Sequence, residues 1–258
     1  MPVEPSGSVA VVTGGSSGIG AAIARALARR SWQLVLLARG EERLRSVAEE
    51  LGAEHQVCDV GDRAAVDRVA AAVRERHPAI RLLVNNAGVP GRGGFLALDP
   101  ERIEEVIRTN YLGSVWCVRA FLPALEMAAP SHVVNIASIA GTVAIGSSGP
   151  YTASKHAQLA FSRSLTVELA SLGVSVHTIN PGLIETTSFP NRARVPELFR
   201  RLVADPELVA ERVVQAVERN RIEQFVPRWY RPAAIAQALA PGLLARAARM
   251  QNRHRKPK

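Results

Sequence analysis

Short, continuously apolar, β-branched runs alternate with helical patterns along most of the chain. SVAVVT (8–13), QLVLLA (33–38), EHQVCDV (54–60), IRLLVNN (80–86), HVVNIAS (132–138) and VSVHTIN (174–180) are the apolar runs. Helical patterns follow the first five: IGAAIARALARR, EERLRSVAEEL, DRAAVDRVAAAVRER, a long stretch over 100–128, and another over 151–171. In the second of these, Leu44, Val47, Ala48 and Leu51 share one face. The apolar runs are unbroken rather than alternating, as strands buried on both faces of a parallel sheet require. A serial βα order with right-handed crossovers predicts an α/β fold: a doubly wound, mostly parallel seven-stranded sheet with helices on both faces. No linker, repeat or low-complexity block divides residues 1–258, which predicts one dinucleotide-binding and catalytic domain. Residues 183–204 break the rhythm and are expected to form a substrate loop with short helical pieces. Residues 229–258 form a basic C-terminal tail, a helix broken at Pro241 and Gly242.

At 258 residues, 47% hydrophobic and 21% charged, the chain can bury a large core. No apolar run approaches the roughly 18 residues of a membrane span, and MPVEPSGS lacks the basic and apolar regions of a signal peptide. Cys58 and Cys117 have neither disulfide nor metal spacing and lie in apolar surroundings, which predicts packing roles and a reduced, cytoplasmic setting. His77, His132, His156 and His177 show no ligand spacing, so no metal site is expected. The net charge of +9 belongs to the tail: from Arg219 to Lys258 ten basic side chains face one acid, Glu223. Because the body is balanced, the charge does not predict nucleic-acid binding.

The first βα turn is TGGSSGIG (13–20). Glycines there let the backbone approach a pyrophosphate, whose charge a helix N-terminus favours. The turn from Gly14 through Ser16, Ser17, Gly18 and Ile19 to Gly20 is therefore the expected phosphate cradle of a Rossmann-like dinucleotide site. A mononucleotide loop is excluded because no GKS or GKT follows. The second strand ends at Ala38 and is followed by Arg39, where an NAD-specific site would carry an acid. A guanidinium offers a planar fork to a 2′-phosphate, so Arg39 favours NADP(H), with NAD(H) as the alternative.

YTASK (151–155) contains the one lysine outside the last three residues of a chain with 29 arginines. Tyr151 and Lys155 are four apart on a predicted helix and project from one face. A phenol with a pKa of about 10 is a poor base at neutral pH, and a cation beside it favours the phenolate. Ser138, at the end of the preceding strand, is separated from them by a glycine-rich loop that lets strand end and helix converge. Hydride transfer to a ketone develops an alkoxide, which needs such a proton donor and oriented hydrogen bonds.

TGxxxGxG (13–20), NNAG (85–88), Asn110, Ser138, YTASK and NPGLIET (180–186) stand in the order and spacing of the short-chain dehydrogenase/reductase family. The resemblance is to its single-domain branch of about 250 residues and runs from about Val9 to Thr186. It implies that Asp59, with Val60 beside it, contacts the adenine. It implies that Asn86, with Ala87 and Gly88, steadies the sheet beside the cofactor. Pro181, Gly182, Ile184 and Thr186 match the segment that holds the nicotinamide carboxamide. Tyr151 resembles the general acid/base, Ser138 the hydroxyl that polarises the carbonyl, Lys155 the cation under the phenol and on the ribose, and Asn110 the helical member of a proton relay. A homodimer or homotetramer is implied as well.

The 183–204 loop with Ile139, Val143, Ile145 and Phe189 predicts an apolar pocket for a small hydrophobic carbonyl or alcohol. Arg119, Arg163, Arg192 and Arg194 keep a 3-oxoacyl-thioester reductase fed by an acyl carrier as an alternative, and a non-catalytic NADP(H)-sensing module is another. The basic, partly apolar tail is expected to pack against a subunit rather than to make peripheral membrane contact.

Overall fold

In the computed structural model, which describes residues 7–144, 148–186, 197–200, 202–243 and 245–246, seven strands form one sheet. They are β1 (Val9–Thr13), β2 (Gln33–Ala38), β3 (Glu54–Val57), β4 (Leu82–Asn85), β5 (Ser131–Ile136), β6 (Val174–Pro181) and β7 (Glu223–Val226). Their order is β3-β2-β1-β4-β5-β6-β7, and every neighbouring pair is parallel. The chain runs outward from β1 to β3 and then crosses to β4 on the other side of β1. The carboxyl ends of β1 and β4 are therefore the topological switch point, where an open α/β sheet leaves a crevice.

Helices α1 (Gly18–Ala28), α2 (Glu41–Leu51), α3 (Arg63–Arg76), α4 (Pro100–Ile107), α5 (Gly113–Met127) and α6 (Gly149–Glu168) follow the first strands. The short α7 (Glu197–Arg200), then α8 (Pro206–Glu218) and α9 (Arg231–Leu239), come after β6. Two apolar cores sandwich the sheet. Ile23, Leu27, Leu44 and Val213 pack on one face, and Val66, Val73, Phe121 and Leu125 on the other. Strand β2 shows why the runs are unbroken: Leu34 and Leu36 belong to the first core, Val35 and Leu37 to the second.

The stretch 100–128 is not one regular helix. A π turn at Arg108–Leu112 separates α4 from α5, and it carries Asn110. Helix α8, which sequence periodicity did not single out, packs its Val209, Val213 and Val217 face into the first core; its start is marked by Asp205 followed by Pro206. The seventh strand, EQFV, which the apolar-run pattern did not single out, is the sheet edge and only half buried. Helix α9 ends before Pro241, and Ile235, Leu239 and Leu243 are exposed. Of the tail, Leu244, Arg249 and everything beyond lie outside the described residues.

Candidate active site

Two adjoining cavities open at the switch point. The larger, about 680 Å³, is walled by the turn after β1, the ends of β2 and β3, and the loop after β4. Gly14, Ser16, Ser17, Gly18 and Ile19 line one side, Arg39, Asp59 and Val60 another, and Asn86, Ala87, Gly88 and Thr186 the rest. The smaller, about 150 Å³, shares Ile19, Asn86, Gly88 and Thr186 with it and adds Ser138, Tyr151, Lys155, Pro181, Gly182 and Ile184. Of the residues the sequence assigns to cofactor binding and catalysis, Gly20 and Asn110 line neither wall.

Gly20 lies beneath the cradle. A Cβ there would stand 2.1 Å from the Gly14 carbonyl oxygen and 2.5 Å from Asn86 Nδ2, so a side chain would force the turn open. Asn86 Nδ2 donates to the carbonyls of Thr13 and Gly14, at 2.9 and 3.3 Å. The buried Thr13 hydroxyl in turn accepts from the amides of Asn86 and Ala87 and donates to Val84 O. These bonds tie the glycine turn to the end of β4 through Asn86 and through Thr13, which the sequence motifs did not single out.

Arg39 is half exposed on the rim. Its Nη1 lies 3.4 Å from Glu105 Oε1 and 3.9 Å from Asp59 Oδ2. Arg43, four residues on, lines the same cleft and is a second guanidinium that the strand-end argument missed. Cys58 is buried in this wall, and burial, with Asp59 and Asp62 adding to it, pushes its thiol up to about 11. Its side chain packs into the second core.

Tyr151 and Lys155 face one cavity from α6, with the Lys155 Nζ 5.9 Å from the centre of the phenol ring. Lys155 is buried, and its Nζ donates to Ile136 O at 2.9 Å and to Gln158 Oε1 at 2.7 Å. The electrostatics differ from the sequence expectation of a fixed cation lowering the phenol. Burial pushes Lys155 down to about 7, because an ammonium loses its hydration there. Burial also raises the Tyr151 phenol above its ordinary value, and a hydrogen bond with Ser138 only partly opposes that. At neutral pH the phenol therefore holds its proton. Ser138, the last residue before a short turn at Ile139–Gly141, accepts from the Ala140 amide at 3.1 Å and donates to Pro181 O at 3.4 Å.

Asn110 is fully buried in the π turn, and its side chain is committed to structure. Its Oδ1 accepts from the Val89 amide at 2.7 Å; its Nδ2 donates to Val89 O and to Ser154 Oγ, each at 3.0 Å. Ser154 Oγ donates to Tyr151 O at 2.7 Å. Asn110 thus ties the loop after β4 to the turn of α6 between Tyr151 and Lys155.

The apolar wall of the smaller cavity comes from Val89, Pro90, Ile136 and Ala137 rather than from Ile139 and Val143. Ile145, Phe189, Arg192 and Arg194 lie outside the described residues. Arg119 is exposed on α5, and Arg163 pairs with Glu223, at 3.0 Å, away from both cavities. No group of three metal-ligating side chains occurs among the described residues. His132 and His177, however, stack across β5 and β6, with Nδ1 of the first 2.9 Å from Nε2 of the second.

The model of the family described as short chain dehydrogenase matches residues 8–195. A candidate ketoacyl reductase of Streptomyces coelicolor is 35% identical over 95% of this chain and 94% of its own. Human short-chain dehydrogenase/reductase 3 is 36% identical over 90% of this chain and 78% of its own. Among solved structures, an actinorhodin polyketide ketoreductase with NADPH superposes with a TM-score of 0.77 at 33% identity, covering 88% of this chain and 97% of that one. A Thermococcus sibiricus alcohol dehydrogenase complexed with 5-hydroxy-NADP gives 0.76 at 31% identity, covering 84% and 95%.

Proposed function

The chain belongs to the short-chain dehydrogenase family, and from that membership we propose an NADP(H)-dependent oxidoreductase that moves a hydride between the cofactor and a hydrophobic ketone or secondary alcohol. The observation that carries the reading is the convergence of Tyr151, Lys155 and Ser138 on a cavity that shares a wall with the glycine-turn cleft. The residues fit such a cofactor: the cleft is dinucleotide-sized, and the cradle at Gly14 and Gly20 leaves no room for a Cβ. Arg39 and Arg43 on its rim support the 2′-phosphorylated form, as do the NADP derivative and the NADPH in the two solved relatives.

When held by the glycine turn and the Arg39–Asp59 wall, NADPH would supply the hydride. Ser138, which lines the cavity, exchanges its long bond to Pro181 O for one to the substrate carbonyl oxygen, which it polarises. As negative charge builds on that oxygen, Tyr151 Oη gives up its proton to it, and the buried ammonium of Lys155 favours the phenolate left behind. The raised phenol suits the donor role in reduction, since the proton is present at neutral pH. Asn110 acts through Val89 and Ser154 as a positioning residue. Ile184, Val89 and Pro90 make the wall beside the reacting oxygen apolar, which favours a hydrophobic carbonyl. A 3-oxoacyl thioester is the second reading, supported by the candidate ketoacyl reductase and the polyketide ketoreductase among the relatives.

The test is NADPH oxidation with a panel of hydrophobic ketones and a 3-oxoacyl thioester. In Tyr151→Phe, turnover should fall by about 10²-fold or more with NADPH affinity kept, as loss of a general acid requires. Unchanged turnover would refute the assignment, and preference for the thioester would select the second reading.

A further inference from the structure

Lys155 is held by a side chain that no step above uses. Gln158, three residues along α6, is fully buried, and its Oε1 accepts from Lys155 Nζ at 2.7 Å. An ammonium can only donate, so the amide must turn its oxygen to the lysine and its NH₂ the other way. There Ser114 Oγ, at the start of α5, accepts from Gln158 Nε2 at 2.9 Å. Ile136 O takes a second proton of the ammonium. Two of the three N–H bonds are thereby spent, and the third is left for the cavity that Lys155 shares with Tyr151.

We infer that Gln158, braced by Ser114, is a positioning residue of the active site that sets the direction of the Lys155 ammonium and how firmly it keeps its proton. The inference rests on the proposed pairing of Tyr151 with Lys155. A neutral amide suits the task better than the alternatives. A carboxylate at the same place would neutralise the ammonium and weaken its hold on the phenolate. An aliphatic residue would leave a buried cation with one protein acceptor, and buried cations without partners shed their proton. The margin is narrow because burial alone already brings Lys155 to about 7. Tyr151 on the same helix is the titratable group that faces it. Strand β5, the Ile139–Gly141 turn and α5 present the Ile136 carbonyl, the Ser138 hydroxyl and the Ser114 hydroxyl, all neutral.

The chain has three lysines, two of them in its final three residues, so carbon-13 labelling of lysine side chains makes Lys155 individually visible by NMR. Its titration can be read without cofactor or substrate. Gln158→Glu should raise the midpoint by about one pH unit or more, and Gln158→Leu should lower it by a similar amount. Ser114→Ala should move it in the direction of the leucine variant, by less. If Gln158→Leu does not fold, the near-isosteric glutamate variant carries the test. In that variant the rising limb of alcohol oxidation should also move to higher pH, because a neutralised ammonium stabilises the phenolate less. Midpoints within about 0.2 units of the parent in the folded variants would reduce Gln158 to a packing residue. Absence of turnover in the parent would instead sink the proposed activity and leave the lysine titration as it stands.

Discussion

Lys155 stands alone in an arginine-rich chain at a buried place between Ile136 O and Gln158 Oε1, which suits a compact ammonium better than a forked guanidinium. Arg39 is the opposite case, a half-exposed fork on the rim of a wide cleft. Arg39→Asp should lower kcat/KM for NADPH relative to NADH by about 10- to 100-fold, the worth of a hydrogen bond to a charged group. Rates with both cofactors check this. A residual NADPH preference is expected from Arg43, and an unchanged ratio would make Arg39 a bystander. At this scale the sequence was legible wherever chemistry demands a residue type at a local spacing: Tyr151 and Lys155 four apart, Ser138 at a strand end, glycines in the turn. It was not legible where the partner lies far along the chain. Gln158 meets Ser114, and Leu183 N donates to Tyr230 Oη at 3.3 Å, across gaps that no spacing rule reaches.

Among the elements, α6 carries Tyr151 and Lys155, the side chains proposed to react, and its seating on the sheet is polar as well as apolar. Asn85 Nδ2 donates to Asn135 Oδ1, Asn135 Nδ2 donates to Ser162 Oγ, and Ser162 Oγ bonds Thr178 Oγ1, all within 2.7–2.9 Å and all buried. This chain of bonds crosses β4, β5, α6 and β6 and fixes the height of the helix. Ser162→Ala would leave Asn135 Nδ2 and Thr178 Oγ1 unpaired and should cost about 1–3 kcal/mol, or several degrees in Tm, with kcat little changed. Thermal unfolding and steady-state rates on the same variant separate the two effects. The last described elements reach the site too. A Cβ at Gly182 would stand 1.9 Å from the Tyr230 ring, so the segment after β6 is glycine because the start of the tail lies on it. The π turn between α4 and α5 was hidden in the sequence for a related reason. Its buried Thr109 and Asn110 carry no local spacing signal, and Asn110 bonds across to Val89 and Ser154, far along the chain.

The whole molecule carries a buried histidine pair on the sheet. His177 Nδ1 lies 2.9 Å from Arg221 O, which can only accept, so that nitrogen carries a proton. Its Nε2 is then an acceptor, and His132 Nδ1 donates to it, leaving both rings neutral. Burial, then the neighbouring His177 and Arg81, pushes His132 down to about 3, and burial lowers His177 as well. Both folded values lie below the unfolded value of about 6.5. The stability they protect is thus complete above about pH 6.5 and is lost as pH falls below it. Between pH 6.5 and 5 the loss should be on the order of 2 kcal/mol. Lys155 acts above about 7, and the arginine-paired Glu50 and Glu105, whose carboxyls are lowered, act below the usual carboxylate range. Denaturant midpoints at pH 7.5 and 5.0, for the parent and His132→Gln, check this: the gap should shrink in the variant.

The architecture was legible in the sequence alone, and so was the set of side chains that meet at the switch point. Unbroken apolar runs can be buried only in a covered parallel sheet, and the serial order of runs and helices places the glycine turn, Ser138 and Tyr151 at the same end of it. Tertiary structure decided the electrostatics. Whether a buried phenol or ammonium keeps its proton depends on desolvation and on acceptors such as Ile136 O and Gln158 Oε1. It also decided what presses on the site from far along the chain: Asn110 on Val89, Ser114 on Gln158 and Tyr230 on Gly182. Spacing along a chain encodes which side chains share an element and a face. Burial and long-range hydrogen-bond partners exist only once the elements have packed.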